Sequence, residues 1–226
     1  MSAEKKSRTK KPRDDGALKR AVATAALPLI ERDGLTESML KQAADKADLE
    51  RGTLARLFPK GPLDLVEAIS EIHDEEMEKR LAKAKLSTLK IRERIKRAVM
   101  TRVDILRPHK EAARRVAAFL TLPPNAATGA KLLYRTVDGM WRAAGDTSTD
   151  FNFYTKRAIL VGVYSSTLLR WFADDSEEEA DTRAFLDARI ENVMQFEKFK
   201  ADLRERTKEF PSLTDILDGV RKWRQQ

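Results

Sequence analysis

The sequence contains no cysteine and only two histidines, His73 and His109. The lack of cysteine excludes disulfides, thiolate metal ligands and cysteine nucleophiles. With so few histidines, we expect no histidine-based metal centre or acid–base catalyst. The sequence also lacks a phosphate-binding glycine loop and a nucleophile with an evident base. We therefore expect neither an enzyme nor a bound metal or cofactor.

Helix-breaking residues and long hydrophobic runs are also scarce, with 9 glycines and 8 prolines among 226 residues. Charged residues make up 35% of the chain and hydrophobic residues 42%, without a run of alternating strand type. This composition predicts an all-α fold. No stretch without charge, including the apolar residues 158–169, reaches the roughly 20 residues that span a bilayer. The N-terminus also lacks the hydrophobic core of a secretion signal, so we expect a soluble or peripheral protein.

The net charge of +8 suggests nucleic acid or an anionic membrane as a partner. Residues 1–15 contain six basic and three acidic residues, which predicts a disordered basic tail. The segment Lys79–Arg102 contains ten basic residues and one acid, Glu93. We interpret this segment as a solvated helix face, with contact to lipid headgroups as the alternative.

Hydrophobic periodicity and stop signals divide the remaining chain into three parts. Residues 16–61 form a helix-turn-helix-like unit, 62–209 a helical bundle, and 210–226 an amphipathic C-terminal helix. Gly34 and Gly145 are placed to end helices, and Pro62 to begin one. The predicted helices cover residues 18–32, 37–46, 50–58, 62–83, 88–106, 110–120, 125–144, 152–173, 177–208 and 213–224.

The segment 41–69, KQAADKADLERGTLARLFPKGPLDLVEAI, resembles the DNA-binding end of the TetR family. Three positions depart from that pattern: Ala55, Leu57 and Gly61 replace an aromatic residue, a histidine or similar residue, and a lysine. Since such side chains commonly hold phosphates, we expect specific DNA binding to be lost. A TetR-type regulator that senses a hydrophobic ligand remains the alternative. The matching positions are Ala44, Ala47, Leu49, Gly52, Thr53, Leu54, Phe58 and Leu65.

A second segment, MWRAAGDTSTDFNFYTKRAILVGVYSSTLLRWF from Met140, is more specific. It resembles the accessory proteins of ubiquinone biosynthesis known as the ninth coenzyme Q protein, including their bacterial members. Weaker resemblance extends from about Leu35 to Phe196. The matching residues are Trp141, Ala144, Gly145, Asp146, Ser148, Thr149, Asp150, Asn152, Tyr154, Thr155 and Arg157.

The resemblance implies a TetR-like homodimer that binds an isoprenoid quinone precursor or another lipid. It also implies a cytoplasmic protein, peripheral on the inner face of the bacterial membrane, that presents the lipid to a ring-modifying hydroxylase of the ubiquinone pathway. Phe153 departs from the mitochondrial relatives, which have tryptophan there. From the residues alone, the large side chains of this segment fit either a partner surface or ordinary core packing. The family's partner-binding positions correspond to Asp138, Met140, Trp141, Asp150, Phe153 and Tyr154.

A polyprenyl tail requires an apolar channel, which helix bundles form where small residues leave room. The resemblance points to such a channel between three helices of the predicted bundle, although a solid core is the simpler reading of each position. The candidate lipid-binding residues are Val99, Val103, Leu133, Val137, Ile159, Gly162, Val163 and Ser166.

The predicted last helix has one apolar stripe with Arg221, Lys222 and Arg224 beside it. An amphipathic helix with a tryptophan and flanking bases fits a membrane interface. The alternative is that this helix packs on its own bundle or on a dimer mate. The candidate membrane-binding residues are Leu213, Ile216, Leu217, Val220 and Trp223.

Overall fold

The structure is a computed structural model that describes residues 14–50, 52–149 and 151–208. Within these ranges every regular element is helical, and three short 3-10 turns join or extend the α-helices. This confirms the predicted all-α class. The helices are α1 (Asp15–Asp33), α2 (Glu37–Lys46), α3 (Thr53–Leu57), α4 (Pro62–Lys83), α5 (Ile91–Leu106), α6 (Lys110–Thr121), α7 (Ala126–Ala143), α8 (Phe151–Phe172) and α9 (Ala180–Lys208).

Local sequence signals explain where the first helices begin and end. Asp14 caps α1 by accepting a hydrogen bond from the Gly16 amide, and Thr36 caps α2 through the Met39 amide. Gly34 ends α1 with a φ of 70°, a backbone angle that favours glycine. Pro62 begins α4, as predicted, because its missing amide hydrogen costs nothing in a first turn.

The N-terminal helices share one hydrophobic core. Helix α1 packs against α2, α4 and α6, and the short helix α3 adds Leu57 to the same cluster. The buried residues of this core are Val22, Ala23, Ala26, Leu29, Ile30, Met39, Leu40, Ala43, Leu57, Phe58, Leu65, Ala68, Ile69 and Ala112.

A second core lies in the bundle of α4, α5, α7, α8 and α9. Helix α4 contributes to both cores: Leu65 and Ile69 belong to the first, and Met77 and Leu81 to the second. The predicted division between residues 61 and 62 therefore falls at the start of a helix that joins the two cores.

The basic segment Lys79–Arg102 does not form a uniformly solvated face. Arg102 is buried, with a side chain only 6% exposed, because it pairs with the buried Asp74 carboxylate on α4. That residue corrects the interpretation of the segment, whereas neighbours such as Lys90, Arg92 and Arg97 are exposed.

Several sequence predictions lie outside the described residues. These are most of the predicted basic tail (residues 1–13), Asp150 and the predicted C-terminal helix with all its candidate membrane-binding residues. Asp14 and Asp15, the last residues assigned to the tail, cap and begin α1. Over the part of the chain described here, no helix has the length and apolarity needed to cross a membrane.

Candidate functional site

A cavity of about 410 Å³ lies where the two cores meet. Its walls come mainly from α4, α6, α7 and α8, and most of the lining atoms are apolar. The small residues of α6 and α7 leave the space that larger side chains would fill. The lining residues are Leu27, Val66, Ile69, Ser70, His73, Arg102, Leu106, His109, Ala112, Ala113, Val116, Ala117, Leu120, Thr121, Ala126, Gly129, Ala130, Leu132, Leu133, Thr136, Tyr164, Ser165, Leu168, Leu169 and Phe172.

One wall of the cavity is polar. Asp74, behind this wall, accepts hydrogen bonds from Arg102 Nη1 at 2.8 Å, Thr136 Oγ1 at 2.7 Å and Arg135 Nε at 2.9 Å. These bonds connect α4, α5 and α7 through one buried carboxylate. Arg102 and Thr136 themselves line the cavity, and Tyr164 lies in the same wall.

Burial shifts the ionisation of two groups that line the cavity. Desolvation, reinforced by the charges of Arg102 and His109, lowers the pKa of His73 to about 3, so its imidazole is neutral at physiological pH. Burial raises the pKa of the Tyr164 phenol, which remains an O–H donor. His109 Nδ1 lies 3.0 Å from Glu31 Oε1, so the second histidine links the cavity wall to α1.

Of the eight candidate lipid-binding residues, the structure places only Leu133 in the wall of this cavity. Val99, Val103 and Val137 are completely buried in the bundle core. Gly162 is exposed on α8, where an added Cβ would meet nothing within 4 Å. Other residues of α7 and α8 line the cavity instead, among them Leu132, Ser165, Leu168 and Leu169.

A second, smaller pocket of about 90 Å³ opens between α5, α7, α8 and α9. Two candidate lipid-binding residues, Ile159 and Val163, line it beside Trp141. Ser166 lies in neither pocket, and its hydroxyl donates to carbonyl oxygens of its own helix. The structure thus separates the candidates into core, surface and two different pockets.

The junction between α7 and α8 is held by backbone and ionic contacts. Gly145, with a φ of 87°, donates its amide to the Arg142 carbonyl, and the Asp146 amide bonds the Trp141 carbonyl. These two bonds form the helix-ending motif predicted for Gly145. The buried Asp146 carboxylate also accepts hydrogen bonds from Lys156 Nζ at 2.7 Å and Arg157 Nη1 at 3.1 Å.

The candidate partner-binding residues differ in exposure. Tyr154 is 65% exposed and makes an edge-on contact with the partly buried Phe153. Trp141 is also partly buried, and its indole N–H donates to the Lys156 carbonyl at 3.1 Å. Trp141, Phe153 and Tyr154 are referred to below as the junction patch.

The other two candidates with described positions have internal contacts. Met140 is completely buried in the bundle core, which assigns it a packing role. The Asp138 carboxylate pairs with Arg157 Nε at 2.7 Å and with Arg142 Nε at 3.2 Å. Asp138 therefore stabilises the α7–α8 junction through these two ion pairs.

Sequence reasoning missed the polar wall formed around Asp74, Arg102 and His73. A signal was available, because Arg102 lies three residues after Val99 and four before Leu106, on the apolar face of α5. A charged residue on such a face requires a buried partner. Asp74 lies one turn before the buried Met77 of α4 and gave no comparable signal.

In the helix-turn-helix unit, the recognition helix α3 is only five residues long. Its Arg56 is held by Asp15 of α1 through two hydrogen bonds of 2.5 and 2.8 Å. Lys60, in the turn before α4, is exposed. The helix-turn-helix arrangement is therefore present, and the arginine of its recognition helix is already paired with a carboxylate.

Comparison with known proteins supports the family resemblance of the segment that begins at Met140. The COQ9 family model matches residues 126–197, which include α7, α8 and much of α9. The chain is 32% identical over 179 residues to the rat "Ubiquinone biosynthesis protein COQ9, mitochondrial", covering 76% of this chain and 57% of that protein. The human protein of the same name is 31% identical over 183 residues, 78% of this chain and 58% of the relative. The chain thus spans somewhat more than half the length of these relatives.

A solved structure shows the relationship in fold. The TetR transcriptional regulator from Nitrosomonas europaea ATCC 19718 superposes with a TM-score of 0.64 over 79% of this chain and 99% of that chain. The two sequences are 20% identical, so this likeness concerns the fold alone. Together with the helix-turn-helix unit and the segment around the α7–α8 junction, these comparisons lead to one conclusion: the chain belongs to the COQ9 family and has a TetR-like fold.

Proposed function

We propose that this protein acts in ubiquinone biosynthesis by holding an isoprenoid quinone precursor in the 410 Å³ cavity. The observation that supports this most is an apolar cavity with a polar wall, formed partly by α7 and α8 of the family segment. Its volume lies within the range of roughly 300–1,000 Å³ typical of small-molecule sites. The mitochondrial relatives are named for ubiquinone biosynthesis, and we propose the same pathway for this chain.

The position of the cavity suggests how a long tail is accommodated. Leu169 lines the cavity, is 69% exposed and lies on the outer part of α8. Ala126 and Ala130 of α7 are also lining residues with exposed surface. A tail that extends past these residues reaches the surface, so the ring-bearing part of the lipid occupies the interior.

The junction patch is the proposed contact for a ring-modifying hydroxylase. An exposed Tyr154 beside Phe153 and Trp141 provides aromatic area of the kind that dominates protein interfaces. The buried Asp146–Arg157 pair below the patch fixes the backbone that presents it. The small pocket beside Trp141 offers a recess for a partner side chain.

Two further parts of the proposal concern assembly. TetR relatives dimerise through their last two bundle helices, which correspond here to α8 and α9, and α9 exposes the large apolar residue Phe196. We expect a homodimer, detectable by sedimentation velocity. Membrane contact is assigned to the predicted helix 213–224, from its sequence pattern, on the cytoplasmic face of the bacterial membrane.

Sequence-specific DNA binding is not part of the proposal, because Arg56 is paired within the unit and the family's phosphate-holding positions are substituted. A mobility-shift assay with the upstream DNA of the protein's own gene tests this. Weak binding that disappears when residues 1–13 are removed is expected from the basic tail. Tight, sequence-specific binding would instead support the alternative function, a TetR-type regulator that senses a hydrophobic ligand.

Cavity-filling variants test the proposed lipid site. Ala117 lines the cavity, whereas its neighbour Ala118 is exposed and does not line the cavity. Calorimetric titration with farnesol, a short isoprenoid alcohol, is expected to show binding to the wild type and to Ala118→Phe. Ala117→Phe should weaken binding about tenfold or more, since the ring occupies the tail's space. Equal binding by both variants would place the lipid elsewhere.

A further inference from the structure

The polar wall of the cavity contains an arginine whose hydrogen bonds are incomplete. Arg102 is buried, lines the cavity, and donates from Nη1 to Asp74. Its Nε atom is buried and has no hydrogen-bond partner among the described residues. A buried donor without an acceptor is costly, and native structures rarely leave one without a reason. The protein alone therefore does not satisfy all the hydrogen-bond donors of this guanidinium group, which borders the cavity.

Asp74 is the counter-ion of two arginines. Its carboxylate accepts hydrogen bonds from the buried Arg102 and from Arg135, whose side chain is 37% exposed. His73 contributes no charge, because desolvation lowers its pKa to about 3. Arg102 therefore shares its counter-ion with a second cation, and a further anionic partner would complement it.

Neighbouring side chains in the wall complement such a ligand. The Tyr164 phenol stays protonated because burial raises its pKa, and neutral His73 can donate from one ring nitrogen. Both residues line the cavity with Arg102. Most of the remaining lining is apolar, so the wall that contains Arg102 is well suited to a charged group.

We propose that Arg102, with His73 and Tyr164, binds the carboxylate head of an amphipathic ligand whose apolar tail fills the remainder of the cavity. A monoanion adds one negative charge beside Arg102, whereas a phosphate dianion would add two to a wall that already contains the Asp74 carboxylate. Carboxylate geometry suits the guanidinium group, which forms strong charge-assisted hydrogen bonds. This inference rests on the proposed lipid-binding function and specifies the head group that the cavity selects.

The test compares two ligands with the same isoprenoid tail. Farnesoic acid carries a carboxylate, and farnesol carries a hydroxyl group. Calorimetric titration of the full-length wild-type protein at pH 7.5 is expected to show about tenfold or more tighter binding of the acid. If neither compound binds, the proposed function fails together with this inference. If both bind equally, only the head-group assignment is overturned.

Substitutions locate the selectivity. Arg102→Met keeps the length of the side chain and removes the charge, so it should weaken binding of the acid about tenfold or more while farnesol binding is retained. Arg97→Met is the matched control, because Arg97 is exposed on the same helix and does not line the cavity. Retained acid preference in Arg102→Met would overturn the proposal. Circular dichroism checks folding, and should Arg102→Met not fold, the wild-type comparison decides.

Discussion

The ion pair below the junction patch provides a sharp test of how the fold presents that surface. The side chains of Asp146 and Arg157 are 3% and 2% exposed, so Asp146→Asn removes a charge from a buried pair. Breaking such a pair typically costs about 3–5 kcal/mol. Arg157 keeps Asp138 and the Phe153 carbonyl as partners. We therefore expect a loss of about 2–3 kcal/mol in the free energy of unfolding, below the full range.

Urea denaturation followed by circular dichroism measures this loss. Asp181→Asn is the matched control, because Asp181 pairs with Arg170 in an exposed salt bridge and should cost roughly 0–1 kcal/mol. A change below about 0.5 kcal/mol for Asp146→Asn would refute the buried-pair reasoning. Such a result would mean that the junction tolerates loss of the charge and that Arg157 is satisfied by its other partners.

The effect of Asp146→Asn on the free energy of unfolding should also depend on pH. Burial alone would raise the pKa of Asp146, but hydrogen bonds from Lys156, Ser148 and Arg157 outweigh it and lower the pKa below its ordinary value of 3.8. A lowered carboxyl pKa contributes stability that is present above the unfolded pKa and lost as pH falls through the folded value. The difference in unfolding free energy between wild type and Asp146→Asn should therefore be constant above about pH 5 and shrink in acid. A difference that grows in acid would contradict this.

Three further predictions concern single positions. Gly145→Ala should destabilise the fold by about 1–2 kcal/mol because φ is positive there, whereas Gly162→Ala, on an open helix face, should stabilise it by up to about 1 kcal/mol in thermal unfolding. Tyr154→Ala should weaken hydroxylase pull-down and leave the free energy of unfolding unchanged, because Tyr154 is exposed. Met140→Ala should instead lower the free energy of unfolding by about 2–5 kcal/mol. A destabilised Tyr154→Ala would show that Tyr154 belongs to the core. Trp223→Asp should reduce sedimentation with anionic liposomes, and unchanged sedimentation would remove the membrane-helix assignment.

The sequence predicted the helices well because their ends depend on local chemistry. The bounds of α2 and α4 agree with the predicted ranges 37–46 and 62–83. Gly34, Pro62 and Gly145 act through their own backbone preferences, which need no knowledge of tertiary structure. The all-α class follows from the composition, and the COQ9 family follows from the specific segment that begins at Met140.

The cavity was less accessible to sequence reasoning, because it depends on how helices are rotated against one another. A stripe of apolar residues identifies a buried face but does not separate core from cavity wall. Val99, Val103 and Val137 are core, whereas Leu133, at helical spacing from Val137, lines the cavity. The wall contributed by α6 was missed altogether, since alanines such as Ala117 give no signal of an empty space beside them.

The central claim is that the cavity shelters an isoprenoid, and the lipid that copurifies with the native protein tests it most directly. The protein should be purified from the organism that produces it, without detergent, extracted with organic solvent and analysed by mass spectrometry. A prenylated aromatic compound is expected in near-stoichiometric amount, and it should decrease strongly in Ala117→Phe but not in Ala118→Phe. Extracts of the wild type that contain no prenylated molecule would contradict the account.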